Sequence, residues 1–284
     1  MPKSQRLVDQ MRAHYRERGV AFERPPEEKT IREAVSERYD DLMSRRSSLK
    51  IPTGFMNLGY WYRHTTTTDQ ASEALMEKLI GPIADRSGTI LDVACGLGAT
   101  SRHLCRHWAP ERVTGVNITE KQIARCRELA PGCEFKVMDA ANMTFGDASF
   151  DNVICVEAAC HFDTREKFLR DTLRILKPGG ALALTDCLVH PDAGALVPRF
   201  PSCNFDVDSP AAYRDLAERV GFSRVEVVDI TEEGVRSYAR FTVADLHDEW
   251  LSGQIDFTML QNGLQSIYSF AAAVKHNVMC FAWR

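Results

Sequence analysis

A regular alternation of two kinds of segment between Gly88 and Cys187 constrains the fold more than any other feature of this sequence. Short runs of β-branched and other apolar residues alternate with segments of helical apolar spacing. The runs span 89–94, 112–117, 134–139, 150–157 and 181–187, and the helical segments lie near 98–109, 120–129 and 164–176. Because strands and helices that alternate at this spacing form βαβ units, the pattern predicts an α/β fold with a mostly parallel sheet.

The residues before this region differ from it in composition. Residues 1–85 are rich in charged residues and helix formers, and they predict helices near 4–18, 27–47 and 69–82. Residues 51–68 interrupt the helices with Pro52, Gly54 and Gly59, and therefore predict a loop. This loop carries large aromatic side chains, which are costly to leave in water. We therefore expect it to be a lid that is mobile without ligand and ordered over a bound one.

The residues after Cys187 are less regular. Residues 188–207 contain three prolines and predict an irregular excursion above the sheet. Further helices are predicted near 210–220, 240–252 and 257–273, and further strands at 224–230 and 277–284. A late strand of the sheet is expected to be antiparallel. The expected organisation is an N-terminal helical cap and lid (1–85), a ligand-binding core (86–187), and cap insertions with the final strands of the same sheet (188–284).

The charge balance argues against a nucleic-acid partner. The chain has 35 Lys and Arg against 39 Asp and Glu, a formal charge of −4, and a sequence pI near 6.1. Nucleic-acid-binding domains usually carry a concentrated basic excess, and the sequence has no such stripe.

The cysteines and the apolar segments indicate a cytoplasmic protein. The nine cysteines contain no C-x-x-C pair, which argues against a disulfide framework or a zinc site, so no metal is expected. The first twenty residues lack the apolar core of a signal peptide. No stretch reaches the ~18 apolar residues of a membrane span.

The strongest chemical signal is the segment LDVACGLGATSRHL at 91–104. A predicted strand ends there, and Gly96 and Gly98 open a helix. Small residues let the backbone approach a ligand, and free amide groups at a helix start can bind its polar parts. In open α/β sheets nucleotide-like ligands bind at this place, although a glycine pair alone is also compatible with a simple turn.

Five motifs in order resemble the class I S-adenosylmethionine (SAM) dependent methyltransferases, which have a Rossmann-like fold. After DVACGLG come GVNITEKQ (115–122), MDAANMTF (138–145), FDNVICVEAACHF (150–162) and LKPGGALAL (176–184). The segments MNLGYW (56–61) and EAACHFDTREKFL (157–169) are similar to small-molecule methyltransferases of natural-product pathways. The sequence departs from the family at Ala94, where glycine is usual, and at Asn117, where many relatives carry an acidic residue.

The resemblance implies SAM as the cofactor and S-adenosylhomocysteine as its product. It assigns the methionine part to the backbone around Ala94–Gly98, the ribose to Asn117 and Gln122, the adenine to Asp139, and the carboxylate to Gln70. The complete set of implied cofactor residues is Gln70, Asp92, Ala94, Gly96, Gly98, Asn117, Gln122, Asp139, Ala140 and Glu157.

Three of these residues have other interpretations in the sequence. Gln122 stands three residues after Thr119, the spacing of a helix capping box. Asp139 could cap a turn, and Gln70 could be a solvated helix residue.

The candidate catalytic residues follow the fourth predicted strand. His161, four residues after Glu157, has the side chain best suited to general-base work near neutral pH, and a structural histidine is the alternative. Glu157 could instead act as the base, bind the SAM ammonium or orient His161. Asp186 is a further candidate acid or base, with a position at the edge of the core or a contact of the lid as the alternatives. Tyr39, Tyr60 and Trp61 are candidates for the substrate cavity, and ordinary packing within the lid is the alternative.

The predicted activity is methyl transfer to a hydroxyl group of a small natural product, with His161 as the base. The alternatives are C-methylation with Glu157 as the proton acceptor, N-methylation, and a protein that binds SAM without catalysis. A nicotinamide-dependent oxidoreductase is disfavoured, because its glycine motif requires an acidic residue after the second strand. The expected partner is a small-molecule acceptor, without nucleic acid or membrane; a homo-oligomer is possible.

Overall fold

A computed structural model describes residues 54–190, 193 and 206–284, and these residues form a sheet covered by helices. The described strands are β1 (Ile90–Val93), β2 (Val113–Asn117), β3 (Glu134–Val137), β4 (Phe150–Val156), β5 (Leu176–Val189), β6 (Arg224–Asp229) and β7 (Val274–Trp283). Their order in the sheet is β3-β2-β1-β4-β5-β7-β6. Strands β1 to β5 pair in parallel, whereas β7 is antiparallel to both β5 and β6. The predicted α/β fold with a late antiparallel strand is confirmed.

The described helices lie between or after these strands. They are α1 (Thr68–Ile80), α2 (Ala99–Leu104), α3 (Glu120–Leu129), α4 (Arg165–Ile175), α5 (Pro210–Val220), α6 (Ser237–Leu251) and α7 (Phe257–Ala273). Single turns occur at Pro110–Arg112 and Ala159–His161, and a π-helical turn at Glu232–Arg236 precedes α6. The predicted helices near 4–18 and 27–47, Tyr39 and most of 188–207 lie outside the described residues.

Several predicted boundaries differ from the structure. Helix α2 ends at Leu104 rather than near 109. Turns follow it, and Trp108 after these turns is buried in the core. Strand β5 begins at Leu176, well before 181, because Leu176 already pairs with Phe150 ahead of an irregularity in the register. Strand β7 begins at Val274 because Val189 of β5 extends the pairing to that residue.

The core lies on both faces of the sheet. Every residue of β1 and β2 is buried, as is typical of a parallel sheet with helices on each side. Leu91 and Val93 belong to an apolar cluster that includes Phe168 of α4. Ile90 belongs to a second cluster, which includes Leu75 of α1. Since neighbouring residues of a strand point to opposite faces, these two clusters are the two helical layers.

The strand order places a ligand crevice at one edge of the sheet. The chain runs outward from β1 to β3 and then returns to the other side of β1 as β4. In such sheets ligands bind at the carboxyl ends of the strands where the order reverses, here β1 and β4.

Candidate active site at the carboxyl ends of β1 to β4

The described residues line a partly open cavity at this crevice, with about 840 Å³ of empty space when the solvent at its mouth is included. A concave, largely apolar site with a few polar groups is usual for small-molecule ligands. The lining contains Met56, Ala94, Gly96, Asn117, Ile118, Gln122, Met138, Asp139, Ala140, Val156, Glu157, Ala158, His161, Phe162 and Asp163. Strands β1, β2, β3 and β4 therefore all contribute residues that follow or end them.

The loop after β1 has a backbone that glycine favours. Ala94, Gly96 and Gly98 have φ values of 58°, 56° and 91°. A Cβ atom on Gly98 would lie 2.9 Å from Cα of Cys126, so α2 packs against α3 only with glycine there. Ala94 adopts the left-handed conformation that the family's usual glycine accommodates more easily.

Asp92 holds this loop from behind. Its carboxylate is buried, and Oδ2 accepts hydrogen bonds from the hydroxyls of Thr100 (2.5 Å) and Ser101 (2.7 Å) in α2. Burial raises the pKa of Asp92 to about 6, and the two hydroxyl bonds partly offset this effect. Asp92 does not line the cavity, and it acts on the loop through α2.

Asn117 and Gln122 line the cavity but already have local partners. Asn117 Nδ2 donates to the carbonyl of Gly96 (3.2 Å), and its Oδ1 accepts from the amide of Ile118 (2.7 Å). Gln122 Oε1 accepts from the hydroxyl of Thr119 (2.9 Å), and that hydroxyl accepts from the Gln122 amide (3.2 Å). The capping arrangement of Thr119 with Gln122 is thus present, and both residues remain beside the cavity.

Asp139 and Ala140 lie where β3 ends. Asp139 Oδ1 accepts from the amide of Ala141 (2.9 Å), so the side chain does cap a turn. Asp139 and Ala140 nevertheless line the cavity, together with Met138. The pocket wall here therefore combines one carboxylate with apolar surface, which suits a flat ring that carries an amino group.

Glu157 has an unusual environment just after β4. Its φ of 52° is in the left-handed region, and its amide donates to the carbonyl of Thr185 (2.9 Å). Oε2 accepts from the amide of Leu58 (2.8 Å), whereas Oε1 is buried without a partner. Burial raises the pKa of Glu157 to about 8, and the Leu58 bond opposes that rise.

His161 lies at the same corner of the cavity. It ends the short turn Ala159–His161, in which its amide donates to the carbonyl of Ala158 (2.9 Å). The ring is half-buried and lines the cavity, as does Glu157. The structure thus brings the two predicted catalytic residues to one wall.

Gln70 is not placed at the cavity, contrary to the role that the resemblance implied. Gln70 is exposed in the first turn of α1, and its Oε1 accepts from the amide of Thr66 (2.9 Å) and from the hydroxyl of Thr66 (3.1 Å). The side chain closes the turn that precedes α1, which explains why it points away from the crevice.

Tyr60 and Trp61 are not among the described residues that line the cavity, and their contacts are those of the packing alternative. Trp61 is buried against Phe241 of α6, with ring centroids 4.7 Å apart, and its Nε1 donates to the carbonyl of Leu58 (2.8 Å). Tyr60 lies under the Lys78 ammonium, 4.9 Å from the ring centroid. These aromatic contacts hold the loop that contains Leu58 against α1 and α6.

Asp186 forms a buried ion pair and is not a cavity residue. Its Oδ2 accepts from Nε of Arg165 (2.6 Å), and both side chains are fully buried. Arg165 also donates to Asp206 (2.7 Å) and to the carbonyl of Cys187 (3.2 Å). Burial raises the pKa of Asp186 to about 6, although Arg165 opposes this shift. Asp186 therefore links β5 to α4, in agreement with the core-edge alternative.

The sequence reasoning missed several lining residues. Met56, Ile118, Met138, Phe162 and Asp163 all border the cavity. Three of them, Ile118, Met138 and Phe162, directly follow or precede predicted site residues in the sequence, which is the signal that could have identified them. Met56 comes from the distant loop before α1, and its position depends on tertiary packing.

Away from the cavity, one group of side chains in the described residues, Glu77, His103 and His107, has possible ligand atoms close enough together to bind a metal ion. Oε1 of Glu77 lies 2.8 Å from Nε2 of His103 and 2.8 Å from Nε2 of His107. Arg86 donates to Nδ1 of His107 (2.7 Å), which keeps the proton on Nε2 and favours a hydrogen bond to Glu77 over a metal bond. The group does not line the cavity, and it links α1 to α2.

The cavity has the chemistry that SAM requires. Gly96 presents an open face, since a Cβ there would meet only the Met56 sulfur at 3.8 Å. Glu157 Oε1 is an unpaired buried acceptor for a cation, and Asp139 can accept from an amine beside the apolar side chains of Ile118 and Met138. The residues present therefore fit a ligand with a cationic end and an adenine ring.

Comparisons with known proteins agree with this site. Residues 91–184 match the family model described as a methyltransferase domain. A 27-O-demethylrifamycin SV methyltransferase of Amycolatopsis mediterranei is 34% identical over 49% of this chain and 53% of its own length, so the alignment spans about half of that relative. Methyltransferase GfsG of Streptomyces halstedii is 28% identical over 72% of this chain and 80% of its own length.

Solved structures share the fold at low sequence identity. The [4+2]-cyclase SpnF has a TM-score of 0.69 at 18% identity, covering 90% of this chain and 97% of its own. A geranyl diphosphate C-methyltransferase from Streptomyces coelicolor A3(2) has a TM-score of 0.65 at 15% identity, covering 92% of this chain and all of its own. Among the described helices, none has the length and apolar character needed to cross a bilayer.

The fold, the glycine loop and the family match together show that residues 91–184 form a methyltransferase domain with a class I fold. The chain is also 28% identical to an erythromycin 3''-O-methyltransferase of Saccharopolyspora erythraea, over 69% of this chain and 70% of that relative.

Proposed function

We propose that this methyltransferase transfers the methyl group to a hydroxyl of a small natural product and that His161 is the general base. The observation that carries the proposal is the position of His161 on the same cavity wall as Glu157, just after β4. An alcohol has a pKa far above neutrality, so its proton must leave as the carbon–oxygen bond forms. The names of two relatives, the rifamycin enzyme above and the erythromycin 3''-O-methyltransferase of Saccharopolyspora erythraea, support oxygen as the acceptor atom.

The cavity residues would divide the binding of the cofactor between them. When bound, SAM supplies an electrophilic methyl group on a sulfonium. Asp139 would accept from the adenine amino group beside the amide of Ala140, and Asn117 and Gln122 would face the ribose. The loop Ala94–Gly98 would meet the methionine part, with Asp92 supporting it.

The larger part of the task is to position the acceptor. Fixing two reactants in near-attack geometry can lower a barrier by about 7 to 11 kcal/mol, whereas a positioned base typically adds about 10²- to 10⁴-fold. His161 would accept the hydroxyl proton at a ring nitrogen. Glu157 would lie beside the cationic groups of the cofactor, which favour its ionised form.

C-methylation is the competing proposal, and Glu157 supports it. A carboxylate with a pKa near 8 is a stronger base than an ordinary glutamate, and its Oε1 has no partner. In that reaction Glu157 would take a proton from carbon, and loss of Glu157 would affect the rate more than loss of His161.

A third candidate is SAM binding without methyl transfer. It is favoured only by the similarity of the fold to a protein described as a [4+2]-cyclase. Formation of S-adenosylhomocysteine that depends on an added acceptor distinguishes turnover from binding alone.

The experiment uses ¹³C-methyl SAM and a panel of hydroxylated macrolactones and deoxysugar-bearing macrolides. The proposal predicts a product whose labelled methyl correlates, in heteronuclear NMR, with a carbon across an oxygen atom. A labelled methyl attached to carbon supports the competing proposal. If the panel consumes no SAM, an extract of a macrolide-producing actinomycete is fractionated with the same assay.

A further inference from the structure

A second, smaller cavity adjoins the glycine loop. It has a volume of about 280 Å³ and lies between two chain segments, residues 54–57 of the loop before α1 and residues 94–97 after β1. Thr100 and Val156 complete its lining. Ala94 and Gly96 line both cavities, so this space continues the cofactor site toward the start of α2.

Asn57 is the unusual side chain in this second cavity. Its Oδ1 and Nδ2 are both buried, and neither has a hydrogen-bond partner. Leaving a buried polar group unpaired costs about 1 to 3 kcal/mol, so an amide with two such atoms is retained at a clear cost in stability. Its neighbour Leu58 is fixed by the bond from its amide to Glu157, which holds Asn57 at this place.

The surroundings limit what Asn57 can bind. Among the described residues, neither cavity lining contains Lys or Arg, so the donors that these residues offer to a carboxylate are neutral. The Thr100 hydroxyl in the same lining already donates to Asp92, and Asn117 Nδ2 already donates to Gly96. Asn57 Nδ2 is therefore a donor without another commitment.

We propose that Asn57 binds the amino-acid end of the cofactor. Nδ2 would donate to the carboxylate, and Oδ1 would accept from the ammonium, so one side chain would pair with both groups. The inference rests on SAM as the cofactor and is independent of which acceptor is methylated. It assigns to Asn57 the contact that the sequence resemblance gave to Gln70, which is exposed and bonded to Thr66.

Titration calorimetry with two ligands tests this inference. S-adenosylhomocysteine carries the amino-acid end, and 5′-methylthioadenosine lacks it. Asn57→Ala should weaken S-adenosylhomocysteine binding by about 5- to 100-fold, the range expected for one lost buried hydrogen bond or two. Its affinity for 5′-methylthioadenosine should remain that of the parent, and its melting temperature without ligand should not fall.

Gln70→Ala is the matched control, and it should leave both affinities unchanged. Asn57→Asp provides a second variant of nearly the same shape. It should favour decarboxylated SAM over SAM, relative to the parent, because a carboxylate at this position repels the cofactor carboxylate.

Two results would overturn the inference. Unchanged S-adenosylhomocysteine affinity in Asn57→Ala means that Asn57 does not contact the cofactor. An equal loss for both ligands means that Asn57 shapes the loop without contacting the amino-acid end. In either case, binding of SAM by the parent protein remains a separate measurement, so the proposed function is not tested by these outcomes.

Discussion

Glu157 is the clearest example of a residue at this site whose properties lower the stability of the fold. Its backbone is in the left-handed region, one carboxylate oxygen is buried without a partner, and burial raises its pKa to about 8. Each property has an energetic cost, and such costs concentrate at functional sites. Asn57 and Ala94 show the same combination of a strained or unpaired group with a position beside the glycine loop.

The raised pKa of Glu157 predicts a pH-dependent stability. Between the ordinary value of 4.5 and about 8, the folded protein holds a proton that the unfolded chain releases. Stability therefore falls as the pH rises through this window, by at most about 1.4 kcal/mol per pH unit, and levels off above it. Glu157→Gln keeps an acceptor for Leu58 but cannot ionise. Its stability advantage over the parent should grow from pH 5 to pH 8.

Urea unfolding at several pH values measures this difference. The exposed residue Glu218 of α5 provides the control, since Glu218→Gln should follow the parent at every pH. Parallel curves for Glu157→Gln and the parent would show that Glu157 is not protonated by its burial.

The ion pair of Asp186 predicts a loss of stability without a loss of chemistry. Asp186→Ala removes the fully buried carboxylate from Arg165, whose ion pair with Asp206 involves a partly exposed partner. Removing one partner of a buried pair typically costs about 3 to 5 kcal/mol. Urea unfolding should show a decrease of this size, whereas the turnover number per folded molecule should stay near that of the parent. A selective fall in turnover with normal stability would return Asp186 to the site.

At the scale of elements, local signals predicted the sheet and the helix starts well. Ser209 caps α5 by accepting from the amide of Ala212 (3.2 Å), and Pro210 lies in the first turn, where its missing N–H costs nothing. Thr164 caps α4, because its hydroxyl accepts from the Lys167 amide (3.0 Å). Boundaries such as the start of β5 depend on cross-strand pairing, which a single sequence does not display.

The site residues also divide into those that local sequence patterns predict and those whose position depends on tertiary contacts. Asp139, Glu157 and His161 lie within five residues of the ends of β3 and β4, so the fold alone brings them to the crevice. Trp61 lies on a loop that packs against α6, and Gln70 in the first turn of α1 bonds to Thr66 of that loop; these contacts have no pattern in the sequence. Asn57 lies on the same loop before α1, so no sequence pattern indicated its position beside the glycine loop.

The loop before α1 predicts a ligand-dependent hydrogen exchange. Its described part, residues 54–67, is held by the bond from Leu58 to Glu157 and by that from the Trp61 amide to the Glu233 carbonyl (2.9 Å). The predicted lid movement requires both bonds to open transiently without ligand. S-adenosylhomocysteine should therefore slow exchange at 51–68, relative to α5 as an internal reference. Equal exchange with and without ligand would contradict a lid.

At the scale of the whole molecule, the fold alone leaves the chemistry open. Proteins described as O-methyltransferases, a C-methyltransferase and a cyclase share this architecture or much of this sequence. The sheet supplies the crevice and the glycine loop, and in the proposed mechanism Glu157 and His161, after β4, determine what happens to the acceptor. The proton acceptor at this corner is therefore the point on which the account depends.

The most direct test measures the rates of two variants, His161→Gln and Glu157→Gln. The substrate is the acceptor identified by the labelled-methyl experiment. His161→Gln keeps a hydrogen-bonding side chain but cannot take the proton, so its kcat should fall by about 10²- to 10⁴-fold while SAM affinity stays near that of the parent. The pH profile of the parent should fall on its acid side as the imidazole protonates, and Glu157→Gln should lose less of its kcat. Full activity in His161→Gln, with the larger loss in Glu157→Gln, would contradict the proposed mechanism.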